Sequence, residues 1–370
     1  MARLKKLIIH PGFHKTGTTA LQQALSEARQ ELLESNFYYP HIAGNAHHRA
    51  AWSIIEKTWG WKNRGGRSTD VAEWKKLERK LNKNKRTAIV SSEFFSEATL
   101  EQLLLLKKNT QNFDVKVVFT WRPLPFMLAS TYQQYLKYGL KKSYLEWLDS
   151  IFQVPGEAKF TPSFWKRNLH GDVVSKWAKV FGSGNISLIA VNEADPNFLY
   201  SSFSDLAGVP NGIIREPLDQ EINRSLTFNE SSLLLEINRT YPKDLDWDSY
   251  EIFIRKGNIK ALTGSAAYES SDEKILTPDW AIAKAAELNS KSVAQIKALG
   301  VKIIGDIDRN DFSRIPIGTN APVSTISIAT AARAMIGVDM VSLERMHGKA
   351  ISKEFFDRLK KIIKRRLHLN

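Results

Sequence analysis

Between residues 4 and 10 the chain reads LKKLIIH, a short run that turns apolar and β-branched toward its end, as a buried strand does. Residues 11–17 follow with Pro11, Gly12 and Gly17, the punctuation of a turn. Over 18–33 the apolar positions Leu21, Ala24, Leu25, Ala28 and Leu32 recur at helical spacing. The chain therefore opens strand, glycine loop, helix, which is how a βαβ unit begins. A charged helix over 70–81 leads to a second strand at 86–91 (RTAIVS). The strongest strand pattern lies at 115–121 (VKVVFTW), with a helix expected over 125–136. A helix over 172–181 precedes a fourth strand at 185–191 (NISLIAV). Weaker strand patterns lie near Phe37 and Val301. This alternation predicts an α/β fold with a doubly wound, mostly parallel sheet flanked by helices.

Beyond about residue 210 the strand pattern gives way to helices over 231–240, 249–262 and 278–299. The stretch 312–322 (FSRIPIGTNAP) has the Pro, Gly and Asn content of a linker, and a helical pair over 324–343 and 352–367 follows. The expected organisation is an α/β core over 1–210, a helical part over 211–311 completing the domain, and a C-terminal helical extension over 312–370. No internal repeat is visible. The last helix sets Phe355, Phe356, Leu359, Ile362, Ile363 and Leu367 against a face of Lys and Arg. Such a helix suits packing on its own domain, a homodimer contact, or peripheral contact with an anionic membrane.

Charge changes the picture more than composition does. Of 370 residues, 43% are hydrophobic and 25% charged, ordinary for a globular protein. The net charge is +14, and nearly all of it sits in two segments. Residues 61–86 hold ten Lys and Arg against three Asp and Glu, and 349–370 hold eight against two. Solvated helix faces, an anionic substrate and an anionic surface are all compatible with this. No RNP pattern, zinc finger or basic zipper is present, so a specific nucleic-acid partner is not expected. The absence of cysteine removes thiol nucleophiles, Fe–S clusters and Cys-based zinc sites. The apolar run at Leu7 to Ile9 is far shorter than a signal core, and the stretch 325–343 is interrupted by Arg333 and Asp339. The expectation is a cytoplasmic protein, with membrane association left open through the last helix.

The sharpest motif is Gly12-Phe13-His14-Lys15-Thr16-Gly17-Thr18-Thr19. Against the nucleotide-binding pattern G-x-x-x-x-G-K-[ST], the glycines match at Gly12 and Gly17 and the hydroxyl at Thr19. Thr18 stands where kinases and ATPases need lysine, and a lysine sits three places earlier, at Lys15. Glycines let the backbone turn its N–H groups inward, and the helix beginning near Thr18 adds its dipole and unpaired N–H groups. The loop is thus a phosphate cradle whose cation serves a different oxygen from a kinase lysine. Neither the strand end at Ser91-Ser92-Glu93 nor that at Trp121-Arg122 offers a metal-binding Asp, so no metal is expected. A second cluster follows the strand at 115–121. Arg122 stands at a strand's C-terminal end, where open α/β sheets bind ligands, and Ser130 lies two helical turns further on. Arg with a hydroxyl suits a second phosphate.

Together the two clusters resemble the sulfotransferases that use 3′-phosphoadenosine 5′-phosphosulfate. His10 to Thr19 is similar to that family's 5′-phosphosulfate loop in the form common among bacterial members, and Arg122 with Ser130 to its 3′-phosphate site. The resemblance covers residues 4–140, extends to about 207 and is diffuse beyond. It implies a P-loop-type sheet and a sulfuryl transfer to a hydroxyl or amine, with that nucleotide as co-substrate and no metal. It also implies that Lys15 contacts the oxygen bridging phosphate and sulfate. Gly12, Thr16, Gly17, Thr18 and Thr19 then form the 5′-phosphate loop, and Arg122 and Ser130 hold the 3′-phosphate. The family's catalytic base falls at Glu93. Arg255-Lys256-Gly257 spells a late family motif, but in a predicted helix far along the chain, where it reads as a chance match.

Glu93 is preferred as base, and His14, inside the loop and of a type that titrates near neutrality, is its rival. His10 is expected to be structural. His47 and His48, adjacent on a helix, point to different faces and make a poor metal pair, although they could line an acceptor pocket. Tyr135 and Tyr138 share a helix face beyond Arg122 and suit either a cleft wall or packing. The acceptor expected is a glycan, a lipid-linked sugar or glycolipid, or a small alcohol. Two other readings stay open: a small-molecule kinase, which would need lysine at position 18, and a non-catalytic module binding anions or membrane.

Overall fold

The computed structural model describes residues 4–154, 156–217, 224–264 and 273–346. The chain opens with β1 (Lys5–His10), α1 (Thr18–Glu27), α2 (Arg29–Glu34) and β2 (Phe37–Tyr38). After α3 (His48–Ile54) comes a two-stranded antiparallel hairpin, β3 (Thr58–Trp59) and β4 (Arg67–Ser68). Next are α4 (Ala72–Lys83), β5 (Thr87–Ser91), a 3₁₀ segment Glu93–Glu97, α5 (Leu100–Asn109) and β6 (Phe113–Trp121). A 3₁₀ turn, Leu124–Met127, leads into α6 (Leu128–Leu136), followed by α7 (Tyr144–Phe152), α8 (Ser163–Asn168), α9 (His170–Phe181), β7 (Ile186–Ala190) and α10 (Asn197–Ala207). Then come α11 (Phe228–Thr240), α12 (Trp247–Ser249), a π-helical segment Tyr250–Ile259, α13 (Lys260–Thr263), α14 (Asp279–Ala298), β8 (Lys302–Ile304) and a helix over 328–346.

Six strands form one sheet in the order β2-β5-β1-β6-β7-β8, and every neighbouring pair is parallel. The weak patterns near Phe37 and Val301 prove to be the two edge strands. Strand alternation explains the two layers. Leu7, Ile9, Val90, Val117 and Phe119 bury one face beneath α3, α4, α5 and α9. Ile8, Ile89, Val118 and Ile189 bury the other beneath α1, α2 and α10. The fold is therefore a doubly wound α/β sheet flanked by helices. After β1 the chain runs to β2 and β5 on one side, and from β6 onward it runs to the other. The crevice at the C-terminal ends of β1 and β6 is thus the topological switch point, where such sheets bind ligands.

A second core is mainly helical and draws on both sides of residue 210. Leu128, Tyr132, Trp147 and Phe164 pack with Leu234, Trp247, Tyr250 and Ala334. The stretch expected to be a linker is docked. Ile317 bridges Thr277 in parallel, and the Phe312 ring lies 5.6 Å from that of Phe126. The predicted helix over 18–33 is divided at Ala28 into α1 and α2. The last predicted helix, over 352–367, lies outside the described residues. Among the described residues, no helix is long and apolar enough to cross a membrane.

Candidate active site

The loop after β1 is shaped from inside. His10 is buried, with Nδ1 2.8 Å from Ser91 Oγ and Nε2 3.3 Å from Thr120 Oγ1. Its ring ties the ends of β1, β5 and β6 together, the structural role expected of it. Phe13 turns inward and stacks on Phe119 at 5.0 Å. The Thr16 hydroxyl donates to Phe13 O at 2.7 Å and meets Thr120 Oγ1 at 2.7 Å, so this side chain fixes the loop rather than facing a ligand. Gly12 (φ 49°) must be glycine, because a Cβ there would lie 2.4 Å from Thr18 Cγ2. Gly17, at φ 81°, caps α1, which has neither a side-chain cap nor an acidic residue in its first turn. The first N–H groups of α1 are left for a ligand, and the helix dipole there is not neutralised.

The exposed side of the loop opens on a cleft of about 650 Å³. His14, Lys15, Gly17, Thr18 and Thr19 line one end of it, and Glu93, His48 and Arg167 also line it. Lys15 reaches across to α6, with Nζ 3.3 Å from Gln134 Oε1. Tyr135 and Tyr138, one turn apart on α6 and its continuation, also line the cleft. Tyr132 does not belong to it; it is buried in the helical core and donates to Lys142 O at 3.0 Å.

Glu93 begins the 3₁₀ segment that follows β5 and thus faces the loop from the neighbouring strand end. Burial opposes its charge. His48 and His14 nearby, and the Gln22 amide donating at 3.0 Å, outweigh that cost and hold its carboxyl below the ordinary glutamate range. His48 Nδ1 lies 3.7 Å from Glu93 Oε2 and 2.9 Å from Ser92 Oγ. His47, next to it, points into the protein: its Nδ1 accepts from Ser91 N at 3.1 Å and its Nε2 donates to Pro40 O at 2.8 Å. The two histidines do face opposite ways, and only His48 enters the cleft. His14 has its pKa lowered to about 4, chiefly by burial and then by Arg167, so at neutral pH it is an uncharged imidazole and a weak base.

Beneath the cleft lies a cluster that no sequence pattern marks. Glu97 receives Lys57 Nζ at 2.7 Å, Arg167 Nε at 3.0 Å and His14 Nε2 at 3.2 Å. Despite burial, these neighbours hold its carboxyl far below the usual range. Glu97 lies four residues beyond Glu93, which is the only local signal for it. Arg167 arrives from α8 by tertiary folding alone. Among the described residues, no group of three or more His, Cys, Asp or Glu converges as a metal site.

Arg122 stands at the end of β6, as expected, and pairs with Glu193 at 2.5 Å. Arg309, from the loop after β8, approaches the same carboxylate at 3.6 Å, and both guanidiniums lie over the Phe126 ring, at 5.3 and 4.5 Å. Ser130 Oγ donates to Met127 O at 3.1 Å. Arg255 lies in the π-helical segment, over the rings of Tyr138 at 4.5 Å and Trp59 at 5.1 Å. It braces the cleft wall from behind.

No family model matches the sequence, and no curated protein matches it. Among solved structures, the chain is similar to a sulfotransferase from Alicyclobacillus acidocaldarius, at 16% identity and a TM-score of 0.40, over 68% of this chain and all of that one.

Proposed function

We propose that the protein is a sulfotransferase using 3′-phosphoadenosine 5′-phosphosulfate to sulfate an acceptor hydroxyl or amine. The observation that carries this reading is one juxtaposition. A glycine cradle with an uncapped helix N-terminus, a lysine within the loop and an ionised Glu93 all line the same cleft. The cradle fits a 5′-phosphate, since Gly12 and Gly17 take the left-handed backbone the loop needs and the first turn of α1 has no side-chain cap. The donor supplies an electrophilic sulfur and a phosphate leaving group. Lys15 and the first N–H groups of α1 stabilise negative charge at the loop. Glu93 takes the acceptor proton, and Gln22 and His48 keep its carboxylate oriented and charged. Positioning does much of the remaining work. Arg122, with Arg309 beside it, suits a 3′-phosphate in the place Glu193 now neutralises.

The test is calorimetric titration with adenosine 3′,5′-bisphosphate without metal. Binding is expected, weakened about 10- to 100-fold in both Lys15→Ala and Arg122→Ala, since each removes a charge-assisted contact. Undiminished binding in both variants refutes the assignment.

A further inference from the structure

The cleft carries cations beyond the one in the loop. Lys15, Lys57 and Arg167 line it, and among the described residues Glu93 is the one carboxylate that does. Lys15 belongs to the loop. Lys57 and Arg167 come from outside the loop and share the buried Glu97, which His14 of the loop also approaches at 3.2 Å. Two cations on one carboxylate leave a positive charge over. The geometry also leaves a donor over. Arg167 Nε lies 3.0 Å from Glu97 Oε1 as an ion pair, yet among the described residues this buried nitrogen has no hydrogen-bond partner. The guanidinium is nonetheless fixed in place. Its side chain is only 12% exposed, and the Phe94 and Tyr135 rings flank it at 6.0 and 5.9 Å. A nearly buried guanidinium with an unsatisfied nitrogen, lining a cleft, suits bidentate recognition of an oxyanion.

Aromatic rings also line the cleft. Trp52 and Trp59 stack on one another at 4.9 Å, and both line the cleft together with Tyr135 and Tyr138. Flat apolar walls with a few fixed polar groups are how pockets hold a ring and set its orientation. We infer that the acceptor is an anionic sugar, a pyranose bearing a carboxylate or similar oxyanion that Arg167 reads with Lys57 while the aromatic walls hold the ring. This rests on the sulfotransferase reading of the same cleft. It makes Arg167 a specificity residue, acting on the acceptor and not on the donor.

The experiment uses the full chain saturated with adenosine 3′,5′-bisphosphate and two probes differing only at one carbon, 4-nitrophenyl β-D-glucuronide and 4-nitrophenyl β-D-glucoside. Calorimetry is expected to show the glucuronide binding at least tenfold more tightly. The preference should vanish in Arg167→Gln and survive in part in Arg167→Lys, which keeps the charge and satisfies Glu97 but loses the fork. Adenosine 3′,5′-bisphosphate should still bind both variants. Equal affinity for the two sugars, binding of neither, or a preference that persists in Arg167→Gln overturns the inference and leaves the donor assignment standing. Failure of the bisphosphate to bind the unaltered protein overturns the donor assignment, and this inference with it.

Discussion

At the scale of single residues, the choice of base turns on what surrounds each candidate. Glu93 and His14 face the same cleft, yet burial acts on them in opposite senses. His14 gives up its charge, because Arg167 adds repulsion to burial, and its pKa falls to about 4. Glu93 keeps its charge, because two imidazoles and an amide donor offset burial. An imidazole base with an ordinary value near 6.5 would halve the rate at that pH and cost about tenfold one unit lower. The depressed Glu93 instead predicts a rate at saturating donor that stays flat from pH 8 to about 5.5. Glu93→Gln should lower turnover by about 10²- to 10⁴-fold and leave adenosine 3′,5′-bisphosphate binding intact. An inflection near 6.5 would move the role to an imidazole, and His48, 3.7 Å from Glu93, would be the first to examine.

At the scale of elements, the aromatic wall of the cleft is only as firm as the helical layer behind it. Trp247 is 1% exposed and holds that layer to the wall: its ring lies 5.8 Å from Tyr138 and 6.0 Å from Trp59, both of which line the cleft. Trp247→Ala should cost about 3–5 kcal/mol of stability in denaturant titration, the usual penalty for deleting a buried ring. Since the loop after β1 rests on Phe119 and not on this layer, adenosine 3′,5′-bisphosphate affinity should change little. A loss of less than about 1 kcal/mol would show that the wall stands without it. The same contrast explains what the sequence made legible. The loop, Arg122 and Glu93 were readable because each sits within a few residues of a strongly patterned strand, and a strand end fixes its own surroundings. The helices α5 and α7 were missed although each begins with a capping box, Thr99 with Gln102 and Ser143 with Glu146, a spacing visible in the chain. Nothing local foretells Arg167. It lies on the six-residue α8 and meets Glu97 only because two distant segments pack together.

At the scale of the whole molecule, the buried histidines bind the fold to pH. His10, His47 and His170 are at most 3% exposed, and burial lowers their pKa values to about 4, 4 and 3. His170 has burial as its sole cause and, at Nε2, no hydrogen-bond partner among the described residues. Each value lies below the 6.5 of an unfolded chain, so between those limits the unfolded state binds more protons. Stability from these groups is therefore complete above about pH 6.5 and drains as pH falls toward 4, at about 1.4 kcal/mol per unit for each histidine. Three together approach about 4 kcal/mol per unit, and His14 adds to them in the same direction. A domain holds about 5–15 kcal/mol in all, so unfolding is expected within about two to three units below pH 6.5. Denaturant titrations should show little change between pH 7.5 and 6.5 and a steep loss at 5.5, and a flat profile would mean these imidazoles are not held neutral. His170→Leu isolates one contribution, because it should make the slope shallower by about 1.4 kcal/mol per unit. The His170 ring also lies 4.1 Å from Phe13, the side chain that seats the loop after β1 on β6. A proton on His170 therefore strikes the loop's own anchor, and adenosine 3′,5′-bisphosphate affinity should weaken at the onset of acid unfolding, less so in His170→Leu.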